Sequence, residues 1–198
     1  MQLMHRKHQR TVRKTERLGL DITVIPQPTA LDEFREMYGV TMRRVQADPF
    51  YFFPAEYWTA LLTHGAGLGL VLAEGRVDGE LVAASLCMSS SRWMHYHLEA
   101  TSITGRAMGA AVRCNLALAQ WSQSQEMSRL NLGGGLSGGS DLLLQNKQRF
   151  DPMSPLLPFH IAKLVHDRER YRELAGTDST AGFFPPWRRR VQAHRPGV

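Results

Sequence analysis

The residues that could do chemistry fall in three places in this 198-residue chain. The first is Arg106-Ala107-Met108-Gly109-Ala110-Ala111, an arginine and then small residues between a predicted strand and a predicted helix. Small residues let backbone N–H groups come close to a pyrophosphate, and a helix N-terminus adds partial positive charge. The same residues can also just pack a helix start against a sheet. The second is Gly133-Gly134-Gly135, with Gly138-Gly139 after it, between a short strand and a helix. No Lys-Ser/Thr comes after it, so it is not a Walker loop. The third is a set of titratable groups able to take a proton: His95, His97 and Glu99 in one strand-like run, and Asp141 at a helix start. His95 and His97 fall on one face of a strand, because side chains alternate there. No third ligand joins them, so no metal is expected. Asp141 can cap its helix or act as a base. No Ser-His-Asp or Cys-His motif argues for a covalent nucleophile, and Cys87 and Cys114 read as buried free thiols.

Elements must position these groups. Residues from His5 to Leu18 read as a charged helix stopped by Gly19. Asp21 to Ile25 is a short β-branched strand. Leu31, Phe34, Met37, Tyr38 and Met42 recur at helical spacing, so a helix should run to about Ala47. Pro54 opens another through Leu62, and Gly65, Gly67 and Gly69 loosen the connection to the next element. Then come strands at Leu68–Glu74, Leu81–Ser89 and Trp93–Ala100, the first two joined by the hairpin turn Val77-Asp78-Gly79-Glu80. A helix over Gly109–Gln123, a strand over Arg129–Leu132, a helix over Asp141–Phe150, a strand over Pro158–Val165 and a helix over Asp167–Leu174 complete the order. This is a mixed α/β sheet with helices, not a doubly wound parallel one.

Charge is uneven. Residues 1–17 carry +5 and the end from Trp187 +4, out of a formal +6, so the body is mildly acidic. Basic ends can meet phosphates, or can be solvated faces. The boundaries drawn on this basis are a basic helix at 1–19, one domain at 20–176 and a basic tail at 177–198. No run approaches the ~18 apolar residues of a membrane helix, and no apolar stretch comes after the basic start, so a cytoplasmic protein is expected.

Five stretches together resemble the Fem family, the FemAB-type peptidoglycan bridge-forming aminoacyltransferases, and the related GNAT-like acetyltransferases. They are Arg10-Thr11-Val12-Arg13-Lys14 with Glu16 and Gly19-Leu20; Thr41-Met42-Arg43-Arg44 with Ala47 and Phe50-Tyr51-Phe52-Phe53; His95-Tyr96-His97-Leu98 with Ala100; Leu130-Asn131-Leu132-Gly133-Gly134-Gly135 with Asp141, Lys147 and Phe150; and Phe183-Phe184-Pro185 with Trp187-Arg188. Arg106 to Ala111 is also similar to the GNAT donor loop. Asn146, Arg149 and Thr15 depart from the Fem pattern. Fem proteins usually hold two GNAT-like domains, and this chain looks like the second.

The resemblance implies a GNAT-fold enzyme that moves an acyl or aminoacyl group to an amine. It implies that Lys147 lies by the donor ester and stabilises the oxyanion, and that Gly133, Gly134 and Gly135 shape the acyl site. Arg106, Gly109, Ala110 and Ala111 would hold the donor's phosphates, Asp141 would assist as base or cap, and His97 and Glu99 would line the acceptor side. No tightly bound cofactor is implied. The donor would be aminoacyl-tRNA or acyl-CoA; the partners would be tRNA and an amine on a cell-wall precursor or peptide-like metabolite. A non-catalytic partner-binding remnant is the alternative of another class.

Overall fold

A computed structural model describes residues 3–135 and 141–188. It has two compact units, Met1–Ser154 and Pro155–Val198. This division rests on contacts, whereas the sequence boundaries after Gly19 and Gly176 rest on charge.

The first unit is built on a five-stranded sheet in the order β1-β2-β3-β4-β5: β1 (Asp21–Pro26), β2 (Leu70–Val77), β3 (Glu80–Ser90), β4 (Trp93–Thr101) and β5 (Arg129–Asn131). The first four are antiparallel, and β5 runs parallel to β4. Asp78 and Gly79 both take positive φ, 51° and 82°, as a two-residue turn matching strand twist requires. Helices cover both faces. On one side α2 (Asp32–Arg44) and α3 (Ala55–Thr63) bury Phe34, Tyr38 and Trp58 against Leu72, Leu86, Leu98 and Ala100. On the other, α5 (Ile103–Met108) and α6 (Ala110–Ser124) bury Met108, Cys114 and Leu118 against Val71, Ala73, Val82, Cys87 and Met94. β2 and β3 are thus apolar on both faces, which is why they read as near-continuous apolar runs.

β4 carries the feature that shapes the site. Tyr96 pairs with Cys87 and Leu98 with Leu86, so His97 is an extra residue with no partner on β3. Such a bulge reverses the alternation of side chains beyond it. Met94 and Tyr96 therefore pack on the α5–α6 side, whereas Leu98 and Ala100 pack on the α2–α3 side. β5 pairs with β4 only at Trp93, Met94 and His95. Beyond His95 the outer edge of β4 has no strand beside it among the described residues.

Two remote helices are pinned to one another. Among α1 (Arg6–Arg17), α4 (Gly65–Leu68) and α7 (Leu142–Gln148), α1 and α7 make the contact. Val12 of α1 is fully buried with Met4 and Leu116. His8 is also buried; its Nε2 is hydrogen-bonded to the Asn146 carbonyl at 3.0 Å, and its ring meets Phe150 edge-on at 4.7 Å. The His5 N–H donates to the Arg149 carbonyl at 2.9 Å. Burial, more than the Asn146 carbonyl opposing it, holds the His8 pKa below its ordinary value, and Arg149, His5 and Lys7 add to the lowering.

Some boundaries differ from expectation. The helix expected to reach Ala47 stops at Arg44, where Gln46 turns to positive φ. Gly65–Leu68 forms one helical turn rather than a loose connection. Arg106 to Met108 lie inside α5, so the donor-type loop does not come directly after a strand. The strand expected over Pro158–Val165 is not formed: this stretch of the second unit has no ladder partner among the described residues, and Phe159 and Ile161 stay exposed. That unit holds α8 (Arg168–Ala175), capped by Asp167, and a small cluster in which Tyr171 stacks on Phe184 and meets Trp187. No helix among the described residues is long and apolar enough to cross a membrane.

Gly105→Ala should destabilise the protein, because its Cβ would come within 1.9 Å of the Val82 carbonyl oxygen. A loss of about 1–3 kcal/mol is expected from forced backbone movement. Gly67→Ala, with nothing within 4 Å, is the control; urea midpoints that fall equally for both would refute the packing argument. His8 supports stability when neutral, because its folded pKa lies below the unfolded one. That stability is present above the ordinary value of 6.5 and is lost as pH falls below it. His8→Gln should therefore flatten the drop in unfolding midpoint between about pH 7 and pH 5, and an unchanged slope would sink the assignment.

Candidate active site

β4 points Glu99 toward α6. Its Oε2 accepts from Asn115 Nδ2 at 3.0 Å and from Ser85 Oγ at 3.5 Å, and Tyr96 lies close enough for its hydroxyl to act on the carboxylate. Burial raises the Glu99 pKa, while the donors Asn115, Tyr96 and Ser85 and the charge of Lys147 oppose the rise. Tyr96 is pushed well above its ordinary value by burial first and by Glu99 second, so its hydroxyl keeps its proton. Asn115 is buried, and its Oδ1 has no hydrogen-bond partner among the described residues.

Lys147 reaches the same place from α7. Its Nζ donates to the Gly134 carbonyl at 2.8 Å and lies 5.3 Å from the centre of the Tyr96 ring. Burial lowers its pKa, and Glu99 and Asp141 hold it up. Gly133, in a left-handed conformation (φ 70°), lies under the ammonium: a Cβ there would sit 3.7 Å from Nζ. Asp141 caps α7, its Oδ1 accepting from the Leu144 N–H at 2.9 Å. Its carboxylate also fills the space beside Gly135, where a Cβ would come within 2.2 Å of Oδ2. Gly138 and Gly139 lie outside the described residues. Lys147, Asp141, Glu99 and Gly133–Gly135 thus meet where the pairing of β4 with β5 has ended.

His97 does not join them. The bulge turns it to the opposite face, where its Nε2 is hydrogen-bonded to the Tyr57 hydroxyl of α3. The grouping of His97 with Glu99 assumed an unbroken strand, which β4 is not. His95 stacks instead on Trp93, with ring centres 6.2 Å apart.

The loop from Arg106 to Ala111 is also apart. Arg106 is exposed on α5; Gly109 takes φ 82° between α5 and α6; Ala110 is buried and Ala111 half-buried. α1 lies over this junction: a Cβ on Gly109 would meet Thr11 Cγ2 at 2.5 Å, and Lys14 Nζ donates to the Ala107 carbonyl at 2.9 Å. Arg6, Lys7, Arg10, Arg13, Lys14 and Arg17 of α1 are all exposed, Lys14 at the edge of the junction.

Sequence reasoning missed Ser85, Asn115 and Tyr57, which gather only in three dimensions, and gave Tyr96 no role. It also missed how the Thr41-Arg44 stretch works: Thr41 and Arg44 both bond Thr101 and fix the end of β4 to α2. Cys87 is no nucleophile, since burial pushes its thiol up to about 12. Among the described residues no group of three His, Cys, Asp or Glu is placed to hold a metal.

The fold is shared with solved acetyltransferases. An aminoglycoside acetyltransferase, meta-AAC0020, from an uncultured soil metagenomic sample superposes with a TM-score of 0.56 at 12% identity, over 74% of this chain and 97% of that one. A ribosomal-protein-alanine N-acetyltransferase from Brucella melitensis biovar Abortus 2308 gives 0.51 at 18% identity, over 73% and 99%. FemX gives 0.59 at 13% identity, over 75% of this chain and 54% of that one. At such identities these likenesses speak for the fold. No curated protein matches the sequence. Residues 4–138 match the family described as "Acetyltransferase (GNAT) domain", a span that takes in β4 and the glycine turn and stops short of Asp141 and Lys147. The chain belongs to the GNAT acetyltransferase family and is an acyltransferase.

Proposed function

We propose that the protein forms amide bonds by moving an aminoacyl group from aminoacyl-tRNA to an amine on a peptidoglycan precursor or a peptide-like metabolite. The observation that carries this reading is the Lys147 ammonium, held at the Gly134 carbonyl over Tyr96, beside the open edge of β4. A carbonyl placed there meets a fixed cation where the tetrahedral oxyanion develops, in a site partly closed to water. Tyr96, kept protonated by burial, can give its proton to the departing oxygen, and Glu99 orients its hydroxyl. Asp141 acts as the cap that seats α7 and as a charge that keeps Lys147 protonated.

The donor assignment rests on α1. It occupies the approach to Gly109, where a pyrophosphate would otherwise meet backbone N–H groups, and it offers a row of exposed cations in exchange. Phosphodiester binding is driven by such cations. The five Fem-like stretches support the same reading. Acyl-CoA is the second reading, favoured by the family match and by the exposed Arg106.

A comparison of alanyl-tRNA with acetyl-CoA distinguishes them. Alanyl-tRNA should bind, weaken steeply as salt rises, and weaken at least about tenfold in an Arg10→Glu, Lys14→Glu double variant. Lys147→Ala should cut single-turnover transfer to glycinamide about 10²-fold while leaving tRNA binding within a few fold. Saturable acetyl-CoA binding that survives the α1 variant and is lost in Arg106→Glu would transfer the assignment to acyl-CoA. Binding of neither donor would end both.

A further inference from the structure

We propose that Trp93, His95 and Arg129, at the end of the sheet where β4 and β5 run side by side, stack the unpaired terminal base of the aminoacyl-tRNA donor. This rests on the tRNA reading above and adds the place where the RNA end is held. The first ground is the geometry of the three side chains. Trp93 and His95 lie two residues apart on β4 and so share a face. Their rings are within 12° of parallel, with centres 6.2 Å apart. Arg129 pairs with Trp93 across the β4–β5 ladder, and its guanidinium carbon lies 5.2 Å from the centre of the indole. The result is an aromatic surface with a cation built into it. It is open: Trp93 is half-buried, and His95, Arg129 and the neighbouring Arg92 are exposed. Neither ring belongs to a buried apolar cluster, so neither is explained by the core. Parallel rings with a guanidinium beside them suit the flat face of a nucleobase, and the same cations suit the phosphates that flank it.

The second ground is where the surface lies. β5 leaves β4 after His95, so the open edge begins at Tyr96, the next residue along the strand. Asn131, the partner of His95, accepts from the Gly133 N–H at 2.8 Å, and the Gly134 carbonyl that follows holds Lys147. The stacking surface and the reacting cation are thus joined through four consecutive residues of the β5 end, 131–134. Tyr96 packs on the α5–α6 side and His95 points to the other. Base and ester would lie on opposite faces of β4, with the ribose crossing the edge that β5 leaves free.

This nearness selects the donor. The terminal adenosine of an aminoacyl-tRNA carries the ester on its own ribose, so its base and its reacting carbonyl are close neighbours. In acyl-CoA the pantetheine arm holds the adenine far from the thioester. A base site that adjoins the Lys147 carbonyl site therefore serves an RNA end, and gives the protein a means of telling the two donors apart.

The test uses the whole chain and an RNA hairpin bearing the unpaired 3′ end of a tRNA, with the terminal adenine replaced by the fluorescent base 2-aminopurine, titrated at low salt. Binding to the wild type should quench the emission. His95→Ala removes an exposed ring, and Trp93→Leu keeps an apolar side chain at the half-buried position. Each should restore most of the emission and raise the dissociation constant of the hairpin about tenfold, whereas a blunt hairpin without the unpaired end should bind wild type and variants alike. His95→Ala should unfold at the wild-type temperature, and acetyl-CoA binding should be the same in all three proteins. Hairpin binding without quenching in the wild type, or quenching that persists in both variants, would overturn this proposal and leave the tRNA reading standing. Loss of acetyl-CoA binding in His95→Ala, with hairpin binding intact, would give the surface to the adenine of CoA and overturn it as well. No binding of the hairpin by the wild type would overturn both.

Discussion

One additional residue in β4 governs the layout of the site. A regular strand would send His97 and Glu99 to the same face and would keep Met94, Tyr96, Leu98 and Ala100 in one apolar row. With His97 unpaired, the row divides: two of these side chains pack beneath α5 and α6 and two beneath α2 and α3. Both cores are therefore satisfied by one strand, and polar groups emerge on both sides of it at the level where β5 ends. Thr41 and Arg44 grip Thr101 at one end of β4, and β5 grips Trp93 to His95 at the other, so the irregular stretch is suspended between two fixed points.

Around that stretch the electrostatics balance as a group. Glu99 is too buried to carry a charge cheaply on its own. Ser85 and Asn115 donate to it, the Tyr96 hydroxyl lies close, and Lys147 supplies the nearby cation. Lys147, pressed downward in basicity by its own burial, is held up by Glu99 and Asp141. Removing any one of these groups leaves another buried without its partner, which is the costly case.

Much of this could be read in the sequence, and the exceptions have a physical origin. The element order as far as α7, the Asp78-Gly79 turn, the Gly19 stop and the Asp141 cap arise from local chemistry, so residue types identify them. The convergence of Gly133–Gly135 with Lys147 came through the family resemblance. The bulge was invisible because its apolar residues keep an even spacing and no glycine marks it. The α5–Gly109–α6 junction was read as an open loop because nothing local announces that Thr11 and Lys14, almost a hundred residues earlier, close over it. The extended stretch from Pro158 to Val165 has strand-like residues, yet a strand is defined by its neighbour, and local pattern cannot supply one.

The contact between His8 and the Asn146 carbonyl has a consequence for how α7 is held. A seven-residue helix such as α7 cannot hold its shape in water alone. Its lysine therefore inherits its aim from α1, the same helix whose outer side is lined with cations. A tilt of that amino-terminal helix would therefore be passed, through His8 and His5, to the backbone that carries Lys147.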